Sequence, residues 1–185
     1  MAEPKRIVTP LSDEVVAGLR AGDAVLITGT VYTGRDAAHK RLFDLIAKGE
    51  PLPMDLRGQI MFYVGPTPAR PGRPIGSAGP TTSGRMDAFT PKLHELGLKA
   101  SVGKGLRNEK VLEALKTYKA VYLAVTGGAA ALVSRSIRSA EVVAYPELGP
   151  EAIRRLEVVD FPAVVVNDMY GGDLYREGRS RYETH

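Results

Sequence analysis

The chain has 185 residues, 44% of them hydrophobic, a size and composition that suit one domain with an ordinary apolar core. Its formal net charge is a modest +4, it contains no cysteine, and its three histidines are too few for an obvious metal site. No run approaches the roughly 20 apolar residues that cross a bilayer, and no charged leader precedes an apolar stretch. We therefore expect a cytoplasmic protein that neither spans a membrane nor forms disulfides.

The first half of the chain alternates predicted helices with predicted strands. Ser12 precedes two acidic residues, a pattern typical of the start of a short helix. Residues 24–32 are rich in β-branched side chains, which predicts a strand, and a helix follows over 36–47. His39 lies on the apolar face of this helix, and we interpret it as a core residue. The remaining predictions are a strand over 59–64, an ordered loop over 65–74, a helix over 87–96 and a strand over 100–102.

The second half has a more regular pattern, which completes a mixed α/β fold. A closing hairpin turn is expected over 168–173, with Gly171 and Gly172 at its tip. The alternation predicts a sheet with flanking helices in a single domain over 1–175, followed by a polar tail over 176–185 that frays. The other predictions are helices around 111–115, over 129–137 and over 151–156, strands over 120–125, 141–145 and 161–167, and turns at 126–128 and 146–150.

The most unusual segment is a polar, glycine-rich stretch over residues 76–87. It offers three adjacent hydroxyls, from Thr81 to Ser83, and then Arg85. Glycine lets the main chain approach a ligand closely, and hydroxyls with a guanidinium form a cradle for an anion. The spacing approaches that of a phosphate-binding loop, but Met86 stands where such a loop needs a hydroxyl to hold magnesium. The spacing therefore gives only weak support to a phosphate-binding loop.

Basic residues concentrate around this stretch. Residues 65–105 contain six bases and two acids, which accounts for the whole net charge of the chain. A local positive field favours a small anionic substrate or a nucleic-acid backbone, whereas the simplest interpretation is a solvated loop. Phe89 is the only aromatic residue in the window after Tyr63, so little surface exists for stacking nucleic-acid bases.

Two further places hold candidate site residues. Arg35 and Asp36 fall where a predicted strand ends and a helix begins, and helix amides there face anions. Arg35 either binds a ligand or pairs with a neighbouring carboxylate, and Asp36 either caps the helix or acts as a general base. Lys104 lies between two glycines, which either let it approach a ligand or form an ordinary turn.

Residues 79–87, Gly-Pro-Thr-Thr-Ser-Gly-Arg-Met-Asp, resemble a signature of the class I, iron–sulfur fumarate hydratases and the related L-tartrate dehydratases. The similarity is to their C-terminal domain, which in two-chain enzymes is a separate β subunit. It covers the chain from about Val8 to Tyr175 and implies the architecture called the swivelling β/β/α domain. The other matching motifs are Thr33-Gly-Arg-Asp-Ala-Ala-His39, Gly103-Lys-Gly105, Gly127-Gly128 and Tyr145-Pro-Glu-Leu-Gly149.

The resemblance implies reversible hydration of fumarate to L-malate, with dehydration of L-tartrate to oxaloacetate as the alternative. In the family, the Lewis acid is the open iron of a 4Fe–4S cluster whose cysteine ligands belong to the other domain, in agreement with the absence of cysteine here. The implied partner is a cluster-bearing fumarase α subunit in a heterodimer or heterotetramer, with a small dicarboxylate as substrate. This chain alone would bind no cofactor or metal.

The resemblance also assigns roles to site residues. Arg35, Arg85 and Lys104 match substrate-binding positions, and arginine suits two-pronged recognition of carboxylates. Thr81 matches a substrate-binding residue that is also proposed as the family's base. A hydroxyl is a poor base unless a cation stabilises its alkoxide, so Asp36 is the chemically easier choice, and the sequence leaves both open. The alternatives from other classes are a non-catalytic anion- or nucleotide-binding module and a nucleic-acid-binding domain.

Overall fold

The computed structural model describes residues 3–125 and 130–182 of the chain. The strands are β1 (Lys5–Val8), β2 (Ala24–Thr33), β3 (Ile60–Phe62), β4 (Ala100–Gly103), β5 (Val121–Ala124), β6 (Ile137–Ala144) and β7 (Ile153–Asn167). The helices are α1 (Asp13–Ala17), α2 (Asp36–Lys48), α3 (Thr90–Glu95), α4 (Glu109–Thr117), α5 (Ala130–Ser136) and α6 (Leu174–Tyr182), with short 3₁₀ helices at Ser83–Met86 and Pro146–Glu151. No helix in these ranges is long and apolar enough to cross a membrane.

The sheet closes on itself. Strands β2, β3, β4 and β5 are paired in that order and are all parallel. The long strand β7 runs antiparallel to both β5 and β2, and so joins the two ends of this parallel set into a ring. β1 extends the sheet beside β2, and β6 pairs with the first half of β7. The predicted mixed α/β fold with a sheet and flanking helices is confirmed.

Alternation along the strands separates an inner core from an outer one. Ile60 and Phe62 of β3 point into the ring, where the Phe62 ring lies 5.3 Å from that of Phe161 on β7. Met61 and Tyr63 point the other way and pack beneath α2 and α3. A third cluster joins α4 to the outer face of β5. Because both faces of the parallel strands are buried, their sequences are short runs of almost wholly apolar residues.

The parallel strands bring their carboxyl ends to one edge of the sheet. β2 leads directly into α2 there, and β4 ends at Gly103, beside Lys104. The glycine-rich stretch crosses the same edge, with bridges between Val64 and Pro80 and between Thr82 and Lys104. This edge therefore gathers the segments that carry the candidate site residues.

The structure corrects three predictions near the carboxyl terminus. The helix predicted over 151–156 is wrong, because these residues lead into the continuous strand Ile153–Asn167. Register shifts against β2 and β6 break the strand's alternation, so its buried positions 153 and 156 lie three residues apart, as on one face of a helix.

The hairpin predicted over 168–173 forms only in part: the chain turns there and an antiparallel bridge joins Asn167 to Asp173, but no second strand follows among the described residues. After Asp168 the chain turns into α6, and the Asp173 carboxylate accepts the amide protons of Tyr175 and Arg176 at 3.0 and 3.2 Å, which stabilises the first turn of this helix. The expectation of a frayed tail beginning at residue 176 is wrong as far as Tyr182. Gly127, Gly128 and the last three residues lie outside the described residues, and β1 was not predicted.

His39 is a core residue, as predicted. Its side chain is fully buried, its Nδ1 donates to the carbonyl of Arg35 at 2.8 Å, and its ring lies against those of Tyr63 and Phe89. His94 is similarly buried and donates to the carbonyl of Leu98 at 2.6 Å. Burial lowers the pKa of both imidazoles to about 4, so both are neutral at pH 7.

We expect the free energy of unfolding to fall as the pH is lowered from about 6.5 towards 4. An unfolded histidine binds a proton near pH 6.5, whereas buried His39 and His94 do so only near pH 4. The unfolded state therefore binds more protons in this pH window. As the pH falls through the window, the free energy of unfolding decreases by up to about 3 kcal/mol per histidine. Urea unfolding at pH 7, 5.5 and 4.5 measures the effect. A His94→Gln variant should lose about half of this pH dependence, and an unchanged unfolding free energy in the wild type would contradict the prediction.

Candidate active site

Arg85 and Asp36 form an ion pair at the start of α2. The Arg85 Nε donates to Asp36 Oδ1 at 2.9 Å, and Arg85 Nη2 lies 2.9 Å from Asp36 Oδ2, although that oxygen accepts no hydrogen bond from the described residues. The Arg85 side chain is 51% exposed and that of Asp36 is 34% exposed. Two residues 49 positions apart in sequence, each a candidate on independent grounds, are thus in direct contact.

Arg35 lies on the other side of Asp36. Its Nη2 is 3.4 Å from Glu151 Oε1, and its Nε is 4.0 Å from Asp36 Oδ2 without a hydrogen-bond partner among the described residues. A Cβ atom at Gly65 would lie 2.6 Å from Arg35 Nη1, so glycine is needed there to leave room for the guanidinium. Glu151 Oε2 also accepts the amide proton of Ala37 at 3.0 Å, which places a second carboxylate at the start of α2.

Thr81 and Lys104 are joined through their main chains. The Lys104 amide donates to the carbonyl of Thr81 at 3.3 Å, and the Ser83 amide donates to the carbonyl of Lys104 at 2.8 Å. The Thr81 amide donates to the carbonyl of Tyr63 at 2.7 Å. The glycine-rich stretch therefore continues the hydrogen bonding of β3 and β4 past their ends. Lys104 is exposed, and its ammonium has no partner in the part of the chain that the structure describes.

Gly103 permits the close approach of these two segments. A Cβ atom there would lie 2.0 Å from Ser83 Oγ, so the serine side chain occupies the space that any larger residue would fill. Ser83 Oγ is 2.9 Å from the hydroxyl of Tyr122, which in turn donates to the carbonyl of Gly105 at 2.9 Å. Gly103 thus serves the packing of the site segments, while Gly105, with φ of +85°, forms the turn that follows Lys104.

A buried arginine anchors the 3₁₀ helix that carries Arg85. The Arg107 side chain is 0% exposed, and its Nε donates to Asp87 Oδ1 at 2.7 Å. Its other nitrogens donate to Ser101 Oγ at 3.0 Å and to Thr90 Oγ1 at 2.7 Å. The second oxygen of Asp87 accepts the amide proton of Asn108 at 2.7 Å. Each of the three guanidinium nitrogens therefore donates a hydrogen bond, and these bonds fix Asp87, at the end of the glycine-rich stretch, to the closed sheet.

Sequence reasoning missed Glu151, Arg107 and Tyr122. Glu151 follows shortly after the motif over 145–149, which was a usable signal for its segment. No sequence signal pointed to Arg107 or Tyr122. In a sequence, a buried arginine cannot be told from a surface arginine, nor a tyrosine with a hydrogen-bonded hydroxyl from any other aromatic residue of a strand. Arg35, Asp36, Thr81, Arg85 and Lys104, all predicted, lie at the same edge of the sheet.

The site is suited to binding carboxylates. Arg35, Arg85 and Lys104 supply three cations, and a guanidinium can hold a substrate carboxylate in two-pronged geometry. Two of the four other bases of the surrounding window pair with carboxylates outside the site, Lys92 with Glu95 at 2.6 Å and Lys99 with Asp13 at 2.7 Å.

The chain's own residues do not fit the ligand set of an iron–sulfur cluster. The sequence offers no cysteine thiolate. In residues 3–125 and 130–182, no three histidine, aspartate or glutamate side chains are grouped as metal ligands. Cluster ligands would have to come from elsewhere.

Comparison with known proteins agrees with the motifs. The family model for the fumarase C-terminus matches residues 5–178. Class I anaerobic fumarate hydratase of Escherichia coli K12 is 42% identical over 153 residues, which cover 82% of this chain and 28% of the relative. A putative class I fumarate hydratase of Geobacillus stearothermophilus is 39% identical over 181 residues, covering 94% of this chain and 34% of the relative. The putative L(+)-tartrate dehydratase subunit beta of Methanocaldococcus jannaschii is 37% identical over 173 residues, covering 90% of this chain and 89% of the relative.

Proposed function

Because this chain belongs to the fumarase C-terminus family, we propose that it is the substrate-clamping β subunit of a class I fumarate hydratase, a hydro-lyase that reversibly hydrates fumarate to L-malate. It spans only 28% of the E. coli fumarate hydratase that it matches. The observation that carries the proposal is the contact between Arg85 and Asp36, beside Arg35 and close in the chain to Thr81. These residues supply paired carboxylate-binding groups and candidate proton carriers.

The proposed clamp works by exchange of carboxylates. The guanidinium of Arg85 donates one hydrogen bond to the carboxylate of Asp36 at 2.9 Å and pairs with its charge. A substrate carboxylate of the same geometry replaces Asp36 on Arg85, while Arg35 and Lys104 neutralise the second carboxylate. Since the Arg85–Asp36 pair is partly exposed, its loss costs little, roughly 0–1 kcal/mol.

Proton transfer is assigned to Asp36 or Thr81. Once the substrate has taken Arg85, Asp36 is free to remove the proton from the carbon beside the leaving hydroxyl, and to return it in the hydration direction. Thr81 performs the same task only if Arg85 or Lys104 stabilises its alkoxide, since a hydroxyl is otherwise a weak base. Asp36 therefore links substrate binding to the release of a base.

We propose that a cluster-bearing α subunit completes the site, in a heterodimer or heterotetramer. The proposal is supported by the lack of cysteine and by the match to 89% of a protein named as a subunit, the tartrate dehydratase β subunit. That match also favours a second candidate function, the β subunit of an L-tartrate dehydratase. The substrates differ by hydroxyl groups, which the carboxylate clamp does not distinguish.

Co-expression with a cluster-bearing α subunit tests the proposal. We expect the chain purified alone to be colourless and inactive, and the co-purified complex to consume fumarate. The same preparations are assayed for oxaloacetate formed from L-tartrate. Activity on L-tartrate alone would select the second candidate. Bound iron and sulfide with hydratase activity in the isolated chain would contradict the proposal, as would nucleotide binding without hydratase activity in the complex.

A further inference from the structure

A buried side-chain oxygen adds a further link between the two segments that carry the clamp, which main-chain hydrogen bonds also join. The Tyr122 side chain lies on β5 and is fully buried, and its hydroxyl is 2.9 Å from both Ser83 Oγ and the carbonyl oxygen of Gly105. The carbonyl can only accept, so the one phenolic proton of Tyr122 goes to Gly105. Ser83 must then donate to Tyr122, which fixes the direction of both hydrogen bonds.

Each end of this chain of hydrogen bonds lies next to a predicted clamp residue. Ser83 is two residues before Arg85, and Gly105 directly follows Lys104. Gly105 has φ of +85°, a backbone conformation that is strained for residues other than glycine. This conformation orients the Gly105 carbonyl towards the Tyr122 hydroxyl. Ser83 cannot move towards β4 without colliding with Gly103, which lies against its Oγ.

We propose that Tyr122 is a positioning residue, whose hydroxyl sets the separation between Arg85 and Lys104 and so adjusts the clamp to one dicarboxylate length. This inference rests on the proposed function. Burial raises the pKa of the Tyr122 phenol, so the proton donated to Gly105 is retained at physiological pH. The guanidinium of Arg107 lies 4.9 Å from the centre of the Tyr122 ring and holds the ring in place.

A double-mutant cycle tests the assignment in the complex with the α subunit. Tyr122→Phe removes one oxygen and keeps the ring, and Ser83→Ala removes its donor. Each is expected to raise KM for fumarate about tenfold with a smaller change in kcat, because a loosened clamp loses binding that one to two hydrogen bonds supported. The double variant should also show about a tenfold increase, since both changes break the same connection. Ser136→Ala is the matched control: among the described residues its buried hydroxyl bonds to the carbonyl of Val133 alone, at 2.7 Å, and KM should stay within about twofold of the wild-type value.

Amide hydrogen exchange gives a second measurement that does not require activity. The amides of Ser83 and Lys104 are hydrogen-bonded across the two segments, and both should exchange at least about tenfold faster in Tyr122→Phe than in the wild type. An active wild-type complex whose KM is unchanged by Tyr122→Phe would overturn the inference. If the wild-type complex hydrates neither substrate, the proposed function fails, and the exchange rates alone decide: faster exchange supports positioning by Tyr122, and unchanged exchange overturns it.

Discussion

Replacing Arg107 by methionine is expected to lower the free energy of unfolding by about 3–5 kcal/mol. The Arg107 side chain is 0% exposed and pairs with Asp87 at 2.7 Å, so its removal leaves a buried carboxylate without a counter-charge. Thr90 and Ser101 lose a charged donor at the same time. The large effect thus comes from the groups left behind, more than from the pair itself.

Chemical unfolding of the purified variants measures this effect. Arg57→Met is the control, because Arg57 also pairs with an aspartate, Asp55 at 2.8 Å, but is 82% exposed, and its loss should cost less than about 1 kcal/mol. Adding Asp87→Asn to Arg107→Met should recover part of the lost stability, since the orphaned charge is then removed. Equal losses for Arg107→Met and Arg57→Met would contradict the buried-pair explanation.

Replacing Arg85 by lysine is expected to reduce kcat/KM of the complex by about one to two orders of magnitude, with a larger loss for Arg85→Ala. Lysine keeps the charge but loses the two-pronged geometry, and a charge-assisted hydrogen bond contributes roughly 1.5–3 kcal/mol. Thermal stability and assembly should barely change, because Arg85 is 51% exposed and its contact with Asp36 lies at the surface of the site.

A structural role for Arg85, in which it holds the loop by pairing with Asp87, makes the opposite prediction of lost stability with normal activity in the folded fraction. The structure already removes its premise, because Asp87 pairs with Arg107 and Arg85 with Asp36. Activity per assembled complex, measured with the melting temperature, separates the two roles. Arg155→Lys is the control: Arg155 is 49% exposed, pairs with Glu141 at 2.9 Å and should leave activity unchanged. Near-normal activity in an assembled Arg85→Ala complex would refute the clamp.

Local pattern predicted most of the regular elements. The strand over 24–32 and the helix over 36–47 were predicted within a residue or two, because their periodicity comes from burying one face of a regular element. The beginning of β7 was mistaken for a helix because bulges break its alternation. Closure of the sheet was beyond reach, since it depends on pairing between residues such as Ala24 and Val164, far apart in the chain.

Part of the candidate site could likewise be predicted from the sequence, and part could not. Arg35, Asp36, Thr81, Arg85 and Lys104 were found because ligand-binding residues concentrate in glycine-containing motifs at the ends of strands. Their roles in substrate binding and proton transfer stay predictions. The residues that hold them, Arg107 and Tyr122, act through contacts between distant segments, and only the three-dimensional structure reveals such contacts.

The ring of strands also has a consequence for how the chain folds. β7 occupies residues 153–167 and supplies the neighbour that both β2 and β5 require. The entropy of closing these long loops must be lost before the contacts form, so high contact order makes a rate of milliseconds to seconds the expectation. On the ribosome, β2 and β5 each present an open edge until β7 has been synthesised, and open edges recruit other strands. Pairing of β7 with β2 and β5 therefore removes both of these open edges at once.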